Sequence, residues 1–289
     1  MMVTVLSVAL DALSYGMVLF TISIGLSIMM GLMRVVNLAH GAFAMIGGYV
    51  ASYALKTLGL SYPLAIALAV AGTIVVSLPF EMLLYRRIYR NSDALTQLLL
   101  TIGITFVIIG AANYVFGPTS KPIPLPAVLS GPFDVGFRMI PTHRLFVIAC
   151  GVVTALLLWL LIEKTEFGVR MRAAVDNSAM AEALGIRTQR IYVITFALAV
   201  GLAAFGGVLG AELLPIEPFY ALRYMVTFLV VVSMGGAGSI AGALAASLLL
   251  GLVDTTGKYL APEYGEFFFY LAVILIVFLF PRGLLGRAQ

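Results

Sequence analysis

Long apolar runs alternate with short polar connections along the whole chain. Runs near the roughly 20 residues needed to cross hydrocarbon are predicted at 8–30, 38–55, 62–84, 95–116, 145–162, 191–214 and 266–280. They read as helices, because a segment in lipid must bond its own backbone groups. An eighth region, 224–253, is split by Gly235, Gly236, Ala237 and Gly238. Its first part is short for a span and the whole is long for one straight helix. It reads as either two tilted helices or a re-entrant pair of half-helices, and the second is the expectation carried forward. The stretch 31–49, GLMRVVNLAHGAFAMIGGY, places Arg34, Asn37 and His40 at a break between the first two runs.

Composition turns this pattern into a class. The chain of 289 residues is 62% hydrophobic and 10% charged, with a mean hydropathy of +1.10. No soluble fold hides that much apolar surface. The reading is an all-α, polytopic transmembrane helix bundle, one domain over 1–289, with broken or re-entrant Gly-rich helices and nothing left over for a water-exposed catalytic domain. The first run lacks a basic leader region and a small-residue cleavage site, so it is expected to stay as a span. Cys150, the single cysteine, lies inside an apolar run and reads as a packed, inert thiol.

Charge sets an expected orientation. Arg86, Arg87 and Arg90 share one short loop, Lys164, Arg170, Arg172, Arg187 and Arg190 another, and Arg282 and Arg287 close the chain. The positive-inside rule puts all three groups in the cytoplasm. The Pro-rich connection 117–143, stiffened by PIPLP, then faces outside, as does the N-terminus, while the C-terminus is cytoplasmic. The net charge of +4 follows from topology and calls for no nucleic-acid partner.

Two regions carry the candidate chemistry. In the polar loop 163–190, Asn177 or Ser178 caps a helix that exposes Ala179, Met180, Ala183 and Leu184, and Gly185 stops it in the left-handed conformation. That element, with Ser178, Ala179, Ala181, Glu182, Ala183, Gly185 and Arg187 as its residues, reads as a cytoplasmic docking helix whose rim arginines, Arg187 and Arg190, pair with acids on a partner. The alternative is a plain connector on the membrane surface. At the Gly-rich breaks, polar side chains replace lost backbone partners and a broken helix points its terminal partial charges into the gap. Arg34, Asn37, His40, Gly41, Gly235, Gly236, Gly238 and Ser239 are therefore the candidate substrate path. Against this, Arg34 also fits an ordinary surface arginine and His40 a satisfied structural histidine. The similar logic of the two breaks suggests an internal repeat.

Other classes lack support. Mid-span acids are nearly absent, since Asp11 and Glu81 fall close to segment ends and Glu81 can pair with Arg86 or Arg87. An ion-coupled secondary transporter would place ionisable groups mid-membrane. The chain has no H-E-x-x-H, no G-x-S-x-G and no phosphate-binding loop of the G-x-x-x-x-G-K-[ST] type, so no catalytic residue, metal ligand or cofactor is assigned, and energy must come from another subunit.

Four motifs in order, GLMRVVNLAHGAFAMIGGY, MRAAVDNSAMAEALGIRTQR, SMGGAGSIAGALAASLLLG and FPRGLLGR, resemble the LivH-type permeases of branched-chain amino-acid ABC importers. The resemblance runs over essentially the whole chain. It implies an inner-membrane permease that forms part of a translocation path for branched-chain or other hydrophobic amino acids. It also implies a second permease (LivM-type, or a second copy of this chain), two cytoplasmic ATPases that bind ATP and Mg, and a periplasmic substrate-binding protein. The docking helix would then seat in an ATPase groove. Relatives for urea, short amides or aromatic acids keep the substrate open. One departure is the bulky stretch 220–224, YALRY, where many relatives carry small residues and a lysine; near the outer mouth its aromatics either alter what passes or anchor the bilayer boundary, and the second is the expectation carried forward.

Overall fold

The computed structural model describes residues 2–33, 36–85, 94–134, 136, 138–279 and 283–284. Arg34, Arg86, Arg87, Arg90, Arg282 and Arg287 lie outside them. The described residues form twelve α-helices: α1 (Met2–Met33), α2 (His40–Lys56), α3 (Tyr62–Phe80), α4 (Ala94–Phe116), α5 (Ala127–Ser130), α6 (Thr142–Lys164), α7 (Glu166–Asp176), α8 (Ser178–Ala183), α9 (Thr188–Leu209), α10 (Tyr220–Gly235), α11 (Ile240–Leu260) and α12 (Gly265–Leu279). Six are long and apolar enough to cross a membrane: α1, α3 with its extension, α4, α6, α9 and α11. The chain is a multi-pass membrane protein.

The runs 8–30, 62–84, 95–116, 145–162 and 191–214 fall on five of these helices, whereas 38–55 and 266–280, also expected to span, form helices of 17 and 15 residues that are shorter than the six. α1 begins at Met2 and not at residue 8, so Asp11 sits in its third turn. It is held there by Arg144, with Arg138 at 3.7 Å. α3 contains Pro79, which cannot donate its backbone bond and crowds the preceding turn; the helix widens directly after it into a π-helical segment, Glu81–Tyr85. That turn brings Glu81 and Tyr85 fully inside the protein.

The bundle is organised around α1, α2 and α9. Helices without a hydrophobic drive between them associate through close packing, which small residues permit. A Cβ on Gly25 would come within 2.5 Å of the Ala199 carbonyl oxygen, one on Gly47 within 2.5 Å of Ala204, and one on Gly251 within 2.6 Å of the Ala12 carbonyl oxygen. These glycines therefore fix the α1–α9, α2–α9 and α1–α11 contacts. α3, α4 and α6 form the periphery and leave most of their apolar surface uncovered. Cys150 itself is half-buried.

The two ends differ. At one, 117–143 folds over the bundle with α5 and a short antiparallel hairpin, Pro132–Asp134 with Met139–Pro141, a local exception to the all-α expectation. At the other, α7 and α8 pack beneath α1, α6 and α9 on a cluster that includes Phe20, Ile24, Ile28, Leu158, Ile162, Met171 and Ile191. These are called the hairpin end and the α7–α8 end below.

Candidate functional site

The first break, 36–39, is closed by side chains. Asn37 Oδ1 accepts from the Tyr85 hydroxyl at 2.6 Å and from the Ala39 N–H at 3.0 Å, while its Nδ2 donates to Met29 Sδ at 3.6 Å. His40 Nε2 donates to the Ile22 carbonyl oxygen at 2.9 Å. Both residues are 1% exposed, so within this chain they clip the broken backbone together. The structural reading of His40 fits this arrangement. Since Ile22 lies eleven residues before Met33, α2 starts roughly 16 Å back along α1 from its end. It is a half-helix that rises to the hairpin end, where Ser52 bonds the Pro122 carbonyl.

The second break lies against the same part of α1, on another face. Gly236 and Gly238 take φ +88° and +81°, conformations that a Cβ resists. The Gly238 N–H donates to the Ser27 carbonyl oxygen at 2.9 Å and lies 3.1 Å from Ser27 Oγ. Gly31 leaves room for this: a Cβ there would lie 2.6 Å from Gly238 Cα. Ser239 caps α11 by accepting from the Gly242 N–H at 3.0 Å, and Gly235 packs directly on Gly242. So Asn37, and Gly236 with Gly238, flank the last turns of α1, while Gly41 sits further up, against Ala221 and Phe228.

The region 224–253 resolves into one helix of each kind. α11 has 21 residues and runs the length of the bundle, whereas α10 has 16. After α9 the chain turns back inward: Ile216 fills the space at Gly48, its carbonyl accepting from the Lys121 N–H at 2.9 Å, and Ala221 meets Gly41. Gly41 is fifteen residues from the end of α2 at Lys56, so α10 begins roughly 22 Å below the hairpin end of α2. The short counterpart of α2 is therefore α10, and the two Gly-rich segments singled out as a repeat are not equivalent.

α10 exposes one face. Phe219, Arg223 and Val226 are exposed at three- and four-residue steps and Ser233 two turns further on, followed by Ala237 and Gly238 in the break, while Tyr220, Ala221, Thr227, Phe228, Val231 and Val232 are buried behind them. This stripe runs from the recessed N-terminus of α10 to the Gly break. Tyr220 is not a boundary anchor as its type suggested: it is 0% exposed and packs on Tyr224 at 4.9 Å between ring centroids. Sequence reading also missed the pair Arg223–Glu217, at 2.9 Å, because six-residue spacing across a turn carries no signal. The pair Lys258–Asp254, at 2.7 Å, has the i,i+4 spacing that could have revealed it.

The loop 163–190 holds two helices where one was expected. α7 starts at Thr165, whose side chain caps Gly168, and carries the i,i+4 pair Glu166–Arg170 at 2.7 Å. α8 is capped by Asn177, which accepts from the Met180 N–H at 2.9 Å. It stops at Gly185, φ +85°, with Gly185 N–H donating to Glu182 and Ile186 N–H to Ala181, the paired bonds of a Schellman end. Ser178 is half-buried; Ala179, Met180, Glu182, Ala183, Leu184 and Arg187 are exposed, while Ala181 is 2% exposed and faces inward. The Glu182 carboxylate accepts from the Thr188 hydroxyl. Among the described residues no group of three metal-binding side chains occurs.

Comparison with known proteins adds a family. A model described as the permease component of branched-chain amino acid transport systems matches residues 8–277. The LivH permease of the high-affinity branched-chain amino acid transport system of Escherichia coli K12 is 29% identical over 96% of this chain and 94% of its own length. The BraD permease of Pseudomonas aeruginosa is 28% identical over 96% and 95%, respectively. A probable LivH protein of Methanocaldococcus jannaschii is 26% identical over 95% and 90%. No solved structure matches.

Proposed function

The chain belongs to the permease family of branched-chain amino acid transport systems, and on that premise we propose how it works as the permease subunit of an importer. Its cargo is a branched-chain amino acid, as the names of its relatives suggest. It pairs in the inner membrane with a second permease, either a related chain or a copy of itself. Two ATPases bind at the α7–α8 end and take up ATP and Mg; a binding protein delivers cargo at the hairpin end. Lys164, Arg170, Arg172, Arg187 and Arg190 gather at the α7–α8 end, which supports making it cytoplasmic. The N-terminus of α1, paired through Asp11 with Arg144 at the start of α6, is then outside.

The observation that carries the energy coupling is α8. It is a helix capped at both ends, outside the spans, presenting Met180 and Leu184 at 58% and 76% exposure beside Arg187. Apolar side chains held out on a rigid turn suit a partner's groove. The path is assigned to the exposed positions Arg223, Val226 and Ser233 of α10 and the Gly break that follows, from Arg223 to Gly238. Asn37 and His40 serve it by holding the half-helix α2 against the α10 N-terminus.

The test is co-expression with the ATPases. A stable assembly in which the binding protein and leucine raise ATP hydrolysis supports the reading. Solitary uptake driven by an ion gradient would replace it with a secondary transporter. Stimulation by urea, a short amide or an aromatic acid instead of leucine would retain the machine and change its cargo.

A further inference from the structure

The YALRY stretch carries an ion pair at the start of α10. The Arg223 side chain is 60% exposed and bonded to a Glu217 that is itself 29% exposed, so the pair is open to a polar ligand at the head of the exposed face of α10. Arg223 also lies 5.6 Å from the centre of the Tyr224 ring. Tyr224 packs on Tyr220, whose hydroxyl is fully buried and without a hydrogen-bond partner. An acid, a base and two aromatic rings thus meet at the first turn of α10.

We propose that Glu217, Arg223 and Tyr224, backed by the buried Tyr220, form a transit site for a small zwitterion, an α-amino acid with an apolar side chain; the proposal rests on the importer reading and names where its cargo is held. The carboxylate exchanges onto Arg223, and the ammonium onto Glu217 and the face of Tyr224. One internal ion pair becomes two pairs with the ligand, so charge stays balanced throughout. A solvent-exposed pair is worth little, so opening it costs little and the ligand is held weakly. Weak holding is what passage requires, since a site on a path must release what it binds. The apolar side chain lies along Phe219 and Val226, next on the same stripe.

The experiment is substrate protection of a cysteine. Val226→Cys is placed in a Cys150→Ala background, and its modification by a methanethiosulfonate reagent is timed in the purified transporter complex. Millimolar L-leucine should slow modification at least about fivefold; isovalerate, which lacks the ammonium, and isoamylamine, which lacks the carboxylate, should not. Arg223→Gln and Glu217→Gln should each abolish protection. Equal protection by leucine and isovalerate would overturn the proposal, as would protection that survives both charge removals. ATP-driven leucine uptake, measured in the Cys150→Ala parent, judges the importer reading separately. Normal uptake without protection rejects this site alone, and protection without uptake supports the site while rejecting ATP-driven import.

Discussion

Replacing the two outward-facing apolar side chains of α8, Met180 and Leu184, with alanine should separate docking from folding. In this chain they are 58% and 76% exposed, so covering them by a partner gains that remaining fraction of a full burial. Full burial of a Met or Leu side chain is worth about 1.5–3 kcal/mol. Scaling by exposure gives about 0.9–1.7 and 1.1–2.3 kcal/mol, or about 2–4 kcal/mol together. That is at least about thirtyfold in the ATPase dissociation constant. The cost to the fold is small, because exposed substitutions usually change stability by no more than about 0.5 kcal/mol. The double variant should reach the membrane at normal abundance and melt with the parent. In affinity purification through this chain, the ATPases should be lost, and uptake with them. Ala181→Trp supplies the contrast. Ala181 faces inward, so overpacking there should lower stability itself by about 1–3 kcal/mol. ATPases retained at parental yield by the Met180→Ala, Leu184→Ala protein would refute the docking role of α8.

Other outcomes test the fold. Gly207→Ala drives a Cβ into the Ala44 carbonyl oxygen and should cost about 1–3 kcal/mol or more; Gly110→Ala, with nothing within 4 Å, should be neutral or stabilising by up to about 1 kcal/mol. Thermal unfolding in detergent should separate the two, and equal melting would contradict the α2–α9 contact. Asn37→Ala removes the acceptor of the buried Tyr85 hydroxyl and the Ala39 N–H, so a loss of about 2–4 kcal/mol is expected. An unchanged melting temperature would mean that water replaces the side chain. Cysteines at Ser130 and Ser178 in the Cys150→Ala background should be labelled by an impermeant reagent from outside and only after permeabilisation, respectively. The reverse pattern would invert the orientation.

What the sequence revealed of the architecture was what hydrocarbon imposes. Span length, the Gly-rich breaks and the capped stop at Gly185 follow from local rules, and each appears within a few residues of its expected place. Depth does not follow from local rules. Nothing in GLMRVVNLAHGAFAMIGGY says that α2 begins beside Ile22, because that position depends on His40 reaching a carbonyl eighteen residues earlier. Tyr220 was misread for the same reason. Its type suits a bilayer boundary, but the inward turn of 210–219 carries it into the core. Ala181 was grouped with its docking neighbours because a six-residue helix is too short for its periodicity to tell which side packs. α7 was missed although Thr165 and the Glu166–Arg170 spacing were visible, since its polar face masks the small apolar side at Gly168, Met171 and Ala174.

The central claim is that this chain forms part of an ATP-driven path for branched-chain amino acids. Its most direct measurement is accumulation of labelled leucine in proteoliposomes holding the permeases and ATPases, with the binding protein on the receiving side. Uptake should require both ATP on the ATPase side and the binding protein, and should disappear with the Met180→Ala, Leu184→Ala variant. Leucine accumulation by this chain alone, without ATP and under an ion gradient, would contradict it.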